Sequence, residues 1–123
     1  SLVDTYIGTS SVSDGANEVQ TLTEGGSGLT SFTITWNGQT TASIAAAATA
    51  LTVQQRLEAL SNIEQGGVTV TGSAGGPYTV VFNNQTDVAA MTTTPTGGTG
   101  TVTVATATAG GSAAMVRAVK ITL

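Results

Sequence analysis

Residues 32–72, FTITWNGQTTASIAAAATALTVQQRLEALSNIEQGGVTVTG, contain the clearest local signals in the chain. Phe32, Ile34 and Trp36 alternate with polar residues, which is typical of a half-buried β-strand. Asn37-Gly38 follows, and this dipeptide is the strongest short-range signal for a β-hairpin. A helix pattern and another alternating segment come next. The stretch therefore predicts a β-rich fold that is interrupted by one helix.

Two registers fit the hairpin. A two-residue loop pairs Trp36 with Gln39 and leaves Ile44 on the polar face. A three-residue loop pairs Trp36 with Thr40 and places Ile44 beside Phe32. Because a slip of one residue moves every side chain to the opposite face, the hydrophobic pattern favours the three-residue loop.

One amphipathic segment predicts a helix over residues 52–63. Thr52 and Gln55 match a capping box, in which a hydroxyl at the N-cap and an amide three residues later satisfy free backbone N–H groups. Arg56 and Glu58 are expected to face solvent. Gly66, just beyond the segment, is expected to end the helix. Three apolar residues form a stripe at helical spacing: Val53, Leu57 and Leu60.

The rest of the chain reads mainly as strands. The predicted strands and hairpins cover residues 17–25, 30–37, 67–84, 101–109 and 113–123, with a loop at 85–100 that includes a short strand around 88–91. Strands joined by hairpins favour antiparallel sheets. We therefore expect a mainly β fold, an antiparallel β-sandwich or curled sheet with one short α-helix packed on it. The predicted core comprises Phe32, Ile34, Trp36, Val53, Leu57, Leu60, Val80 and Phe82.

The first 16 residues lack a folding pattern and are predicted to form an N-terminal arm. Four of its apolar residues are expected to bind a partner: Leu2, Val3, Tyr6 and Ile7. Residues 17–123 are expected to form a single β-rich domain. Within that domain, residues 110–123 are predicted to contain a C-terminal strand that takes part in assembly.

The charge pattern argues against two classes of partner. Charged residues make up 8% of the chain, the net charge is −4, and Arg56, Arg117 and Lys120 are its only cations. So few cations cannot neutralise the six or more phosphates of a typical nucleic-acid footprint. No apolar run approaches the roughly 20 residues that a membrane-spanning helix needs. We expect neither nucleic acid nor a membrane as a partner.

The residue types required for most catalysis are missing. The chain contains no histidine and no cysteine, so the commonest general base and the thiolate ligands of metals are absent. The acids are scattered along the chain and are expected to be solvated surface groups: Asp4, Asp14, Glu18, Glu24, Glu58, Glu64 and Asp87. The sequence therefore predicts no catalytic, cofactor-binding or metal site, and no enzyme.

The segments NEVQTLT, FTITWNGQTTASIAAAATALTVQQRLEALSNI and GGVTVTGSAGGPYTVVF together resemble a β-rich module of actinobacterial tailed-phage structural proteins. The module also recurs in tandem in large bacterial surface proteins, and the resemblance covers about residues 17–82. A single copy resembles a phage capsid decoration (minor capsid) protein. Such a scaffold carries no catalytic signature.

The resemblance implies a virion protein that is made in the host cytoplasm and stabilises the outside of the capsid. The implied partners are the major capsid protein and copies of the chain itself, for example in a trimer. Two alternatives remain open at this point. One is a tail-tube or other tail structural subunit, and the other is a bacterial cell-surface adhesion-type domain.

Overall fold

Eight strands and one helix make up the described part of the chain, residues 15–84 and 86–111 of a computed structural model. They are β1 (Glu18–Gly25), β2 (Ser31–Trp36), β3 (Gln39–Thr40), β4 (Ile44–Ala45), α1 (Ala50–Glu58), β5 (Val68–Gly72), β6 (Tyr78–Phe82), β7 (Thr92–Thr96) and β8 (Thr101–Thr108). The predicted mainly β class with antiparallel sheets and one short helix is confirmed.

The strands form two four-stranded sheets. The first has the order β5-β6-β1-β8. In the second, β2 is central, with β3 and β4 along one side and β7 along the other. Every pairing is antiparallel. Each sheet turns one apolar face toward the other, since alternate residues of a strand share a face.

The core lies between the sheets and under α1. All eight predicted core residues are there, none more than 9% exposed. The rings of Trp36 and Phe82 pack with their centroids 5.5 Å apart, and this contact links the two sheets. Buried residues beyond the eight of the predicted core include Leu22, Ile44, Tyr78 and Met91.

The predicted three-residue hairpin loop is wrong. Trp36 pairs with Gln39 across a two-residue turn, in which Asn37 and Gly38 both have positive φ angles, 47° and 84°. Both angles suit a type I′ turn, whose twist matches that of the flanking strands. Ala42, which the three-residue loop would have buried, is exposed.

A bulge between β3 and β4 then restores the apolar register. Phe32 pairs with Ile44, as expected, although the turn is one residue shorter than predicted. Between these two pairings the chain that leads from β3 to β4 contains one residue more than β2, and the bulge lies near Thr41. The Thr41 hydroxyl accepts a hydrogen bond from the Ile34 N–H at 3.1 Å. A bulge allows both the preferred turn and the buried face, an option that uniform pairing excludes.

The helix begins earlier and ends earlier than predicted. Its N-cap is Thr49, whose side chain accepts the Thr52 N–H, so the predicted cap at Thr52 is wrong. Its last residue is Glu58, well before Gly66. Val53 and Leu57 pack their side chains into the core from α1, and Leu60 does so from the turn that follows.

The two charged helix residues expected in solvent are only partly exposed. Arg56 Nε donates to the Ser43 carbonyl at 3.1 Å, and Glu58 Oε2 accepts the Gly66 N–H at 2.9 Å. These bonds attach the helix to the chain before and after it.

The predicted short strand at 88–91 lies too early in the sequence, since the structure places β7 at Thr92–Thr96. Pro95 lies inside β7 and pairs with Phe32. Proline is tolerated on edge strands, where its missing N–H can face outward, and β7 lies at an edge of the second sheet. Leu2, Val3, Tyr6, Ile7 and the strand predicted at 113–123 lie outside the described residues.

Candidate functional site

The two terminal segments of the chain join the domain side by side. Ala16 and Gly111 form an isolated antiparallel bridge, with N···O distances of 3.0 and 2.9 Å. The first and last described residues of the chain, 15 and 111, therefore lie at the same end of the first sheet. We call Ala16, Glu18, Gly110 and Gly111 the terminal junction, because these four residues hold both attachment points.

Glu18 is the buried anchor of the terminal junction. It is 2% exposed, and its Oε1 accepts the Gly110 N–H at 2.7 Å, while its Oε2 accepts from Gln20 Nε2 at 3.0 Å. Burial acts to raise the pKa of Glu18, but the bonds from Gly110 and Gln20, helped by Asp87 and the Val88 N–H, outweigh it and lower that pKa. The carboxylate is therefore held in its charged form.

Gln20 extends this network to the loop before β7. It is completely buried, donates to the Ala89 carbonyl at 3.0 Å and accepts the Met91 N–H at 2.9 Å. Trp36 Nε1 donates to the same carbonyl at 2.9 Å. The loop is thus bound to both sheets, and buried polar groups of this kind contribute to stability only when they are all satisfied.

Gly110 fits the terminal junction because it has no side chain. A Cβ atom at this position would lie 2.7 Å from the Glu18 nitrogen and closer still to the Thr86 carbonyl. Both contacts are with backbone, which cannot rotate away as a flexible side chain would. The glycine therefore permits the short hydrogen bond from its N–H to Glu18.

Side chains of helix α1 and of the turn after it bind the outer edge of β5 and the segment that contains β3 and β4. Gln54 Oε1 accepts the Val70 N–H of β5 at 2.9 Å. Arg56 binds the Ser43 carbonyl, as described above, and Ser61 Oγ accepts from Gln39 Nε2 of β3 at 2.6 Å. The Val70 N–H, bonded in this way, is not free to pair with a strand from another chain.

The outer edge of β8 is covered only at its beginning. Among the described residues β8 pairs with β1 alone. The Thr93 hydroxyl donates to the Val102 carbonyl at 2.6 Å, so β7 covers the edge at that residue. Beyond it, residues 103–108 are exposed apart from the half-buried Val104. We call residues 103–108 the free edge of β8.

A groove of about 330 Å³ is lined in part by Trp36 and Phe82 and by no residue of β8. Its amide side chains bind the protein itself: Asn62 Nδ2 donates to the Trp36 carbonyl at 3.2 Å, and Asn83 Nδ2 donates to the Gly66 carbonyl at 3.1 Å. Trp36 is 9% exposed and offers little ring surface for a sugar to stack on. We therefore interpret the groove as a result of how the two sheets pack and not as a binding site.

The expectation that all the acids are solvated is wrong for Glu18 and only partly right for Glu24. Glu24 Oε2 is buried with no hydrogen-bond partner, and burial raises the pKa of this carboxyl. The alternation of residues along β1 could have indicated that Glu18 is buried, because Glu18, Gln20 and Leu22 share the face that enters the core.

Residues 15–84 and 86–111 contain no group of three or more acids that could hold a metal ion. Within the same residues, no helix has both the length and the apolar character to cross a membrane. No protein-family model and no curated protein matches the chain. The arrangement that remains is a satisfied polar junction for two terminal segments beside an uncovered strand edge.

Proposed function

We propose that this protein is a capsid decoration protein, a structural virion component that binds the outside of a phage shell and stabilises it. The sequence resemblance suggests the class. The observation that carries the proposal is the terminal junction, which attaches the N-terminal arm to a buried, hydrogen-bonded point of the domain. Because the arm joins the domain at this hydrogen-bonded point, a partner that binds the arm is held close to the folded domain.

The arm has the composition of a partner-binding segment. Its apolar residues, Leu2, Val3, Tyr6 and Ile7, lie in a sequence with few other apolar side chains. Segments that order on binding can wrap a large surface of a partner. A protein that binds the assembled shell more tightly than its free subunits stabilises the shell by mass action. Small contributions from many copies add up.

The free edge of β8 favours a second function, that of a tail-tube or other tail subunit. In such an assembly the sheets of neighbouring copies join at their edges into a ring. Both functions are structural, and they differ in where the protein lies on the particle.

The decisive experiment uses phage particles prepared without the protein. Purified full-length protein is added back, its position is determined by cryo-electron microscopy, and the rupture temperature is measured with and without it. Density on the capsid and a higher rupture temperature support the decoration role. Density on the tail supports the tail-subunit function. Binding to the capsid without a change in rupture temperature contradicts the proposal that the protein stabilises the shell.

A matched pair of arm variants tests the role of the apolar residues. Tyr6→Ser combined with Ile7→Ser should reduce the number of copies on the particle, whereas Thr9→Ser combined with Ser10→Thr should not. Because charges are sparse, attachment should vary little between low and high salt. Steep salt dependence would contradict apolar attachment.

A further inference from the structure

The free edge of β8 lacks most of the features that protect edge strands. Residues 101–108, TVTVATAT, contain no charged residue and no proline. The register with β1 is regular from Thr101 to Thr106, and it shifts only between Gln20 and Val19. Natural edge strands are usually protected by charges, prolines, bulges or covering elements. In β8 the single irregularity is the register shift opposite Val19 and Gln20, near the end of the strand. The pairing of the residues before it is regular.

The backbone of this edge is oriented to accept another strand. The Val102 carbonyl points away from β1, since it accepts the Thr93 hydroxyl. Alternate residues of an antiparallel strand direct their backbone groups to the same side. The N–H and carbonyl of Val104 therefore point outward as well, and the structure describes no covering element there. An extended segment can add to such an edge by main-chain hydrogen bonds.

Residues 112–123, SAAMVRAVKITL, have the length and chemistry of a strand for this edge. The twelve residues exceed the eight of β8, and their apolar residues alternate over the second half of the segment. They include two cations, Arg117 and Lys120, and no acid. The described residues carry five acids against Arg56 alone. The segment and the domain thus have complementary charge.

The terminal junction fixes the position and the direction of the chain at Gly111, the last described residue. Gly111 is bonded through both its N–H and its carbonyl to Ala16, so the chain at Gly111 lies antiparallel to the start of the domain. Pairing with its own β8 would require an immediate reversal. The β8 of a neighbouring molecule needs no such turn. We propose that the free edge of β8 binds residues 112–123 of a second copy as an added strand.

This inference rests on the proposed function in one respect, since it names a second copy as a partner in the assembly. Strand exchange of this kind links each copy to the next through main-chain bonds and joins a cationic segment to a domain of net negative charge. A closed ring results if the rotation between neighbours closes, and a chain results if it does not.

Cysteine cross-linking tests the pairing directly, because the chain contains no cysteine of its own. One full-length population carries Ala105→Cys, a second carries Val119→Cys, and the two are mixed and oxidised. The proposal expects disulfides that join one chain of each kind. In the control, the first population carries Glu64→Cys instead, at an exposed site away from β8. Mixing it with the Val119→Cys chains should give no such disulfides.

Other cross-linking outcomes overturn the proposal. Disulfides mainly between two Ala105→Cys chains mean that β8 pairs with β8. A chain carrying both substitutions that closes on itself, even when diluted, means that the segment pairs with its own domain. The absence of any disulfide above the Glu64→Cys control means that the segment does not bind this edge.

A proline variant tests the main-chain bonds. Val104→Pro removes the outward N–H, and Val104→Ala removes the same side chain but keeps that N–H. Sedimentation equilibrium should show self-association weakened about tenfold or more by the proline relative to the alanine. Equal association overturns the inference. If circular dichroism shows that Val104→Pro is unfolded, Arg117→Glu with Lys120→Glu replaces it and should weaken association similarly.

The inference and the proposed function can fail separately. A full chain that binds particles but remains monomeric at all concentrations overturns strand exchange and leaves the decoration role standing. A chain that exchanges strands but binds no particle overturns the decoration role and leaves the interface standing.

Discussion

Replacing the buried carboxylate of the terminal junction should destabilise the domain in a pH-dependent manner. Glu18→Gln keeps the size of the side chain, but the amide has only one acceptor oxygen. In either orientation its NH₂ group meets a donor, either the Gly110 N–H at the former Oε1 position or Gln20 Nε2 at the former Oε2 position. One hydrogen bond to a charged group is lost, and a donor is left unsatisfied.

The expected cost is about 2–3 kcal/mol in the free energy of unfolding at pH 7, since a hydrogen bond to a charged group contributes roughly 1.5–3 kcal/mol. The folded-state pKa of Glu18 lies below its ordinary value. The charged carboxylate therefore stabilises the fold above the unfolded pKa of about 4.3, and this contribution disappears as the pH falls through the folded pKa. The difference between wild type and variant should shrink accordingly.

Urea denaturation at a series of pH values between 7 and the acid limit of folding measures this difference. Glu64→Gln is the matched control, because Glu64 is exposed; its effect should stay below about 0.5 kcal/mol at pH 7. A Glu18→Gln effect as small as that of the control would refute the anchoring role. A large effect that does not change with pH would refute the electrostatic reasoning and leave only packing as its cause.

Three further predictions concern the core, a half-buried acid and the junction glycine. Leu57→Ala should lower the free energy of unfolding by about 2–5 kcal/mol because it empties a fully buried position; a loss under about 0.5 kcal/mol in urea denaturation would mean that α1 does not cover the core. Glu24→Gln should stabilise the protein at pH 7, since burial raises the pKa of this carboxyl. The wild type should recover this deficit as the pH falls below the raised pKa, and a variant less stable than wild type at pH 7 would contradict the unpaired state of Oε2. Gly110→Ala should destabilise more than Gly38→Ala, because an added Cβ meets backbone at position 110 and nothing within 4 Å at position 38; thermal melts of the two variants should differ in that order.

Much of the local architecture follows from neighbouring residues. The alternation of Phe32, Ile34 and Trp36 is sufficient to predict β2 and its buried face. The dipeptide Asn37-Gly38 is sufficient to predict the turn. Val53 and Leu57 identify the buried side of the helix, although its first and last residues depend on caps that several threonines could have supplied.

The register of the β2–β3 hairpin could not be predicted from neighbouring residues alone. The turn prefers two residues, while the apolar faces require three under uniform pairing. The protein satisfies both preferences with a bulge at Thr41, and the sequence contains no separate signal for it. Similarly, β7 resembles a loop in sequence because it consists of four threonines and a proline and is followed by Gly97 and Gly98. It becomes a strand only through pairing with β2.

The candidate site depends even more on contacts between distant residues. The sequence by itself determined the β-rich class, the low charge and the lack of histidine and cysteine, because these are properties of composition and short-range pattern. Only the tertiary structure decided that Glu18 is buried, since its partner Gly110 lies 92 positions away. Only the tertiary structure also decided that the edge of β8 stays open beyond Val102, because an edge is free or covered according to how α1 and β7 pack, and packing is a property of the whole fold.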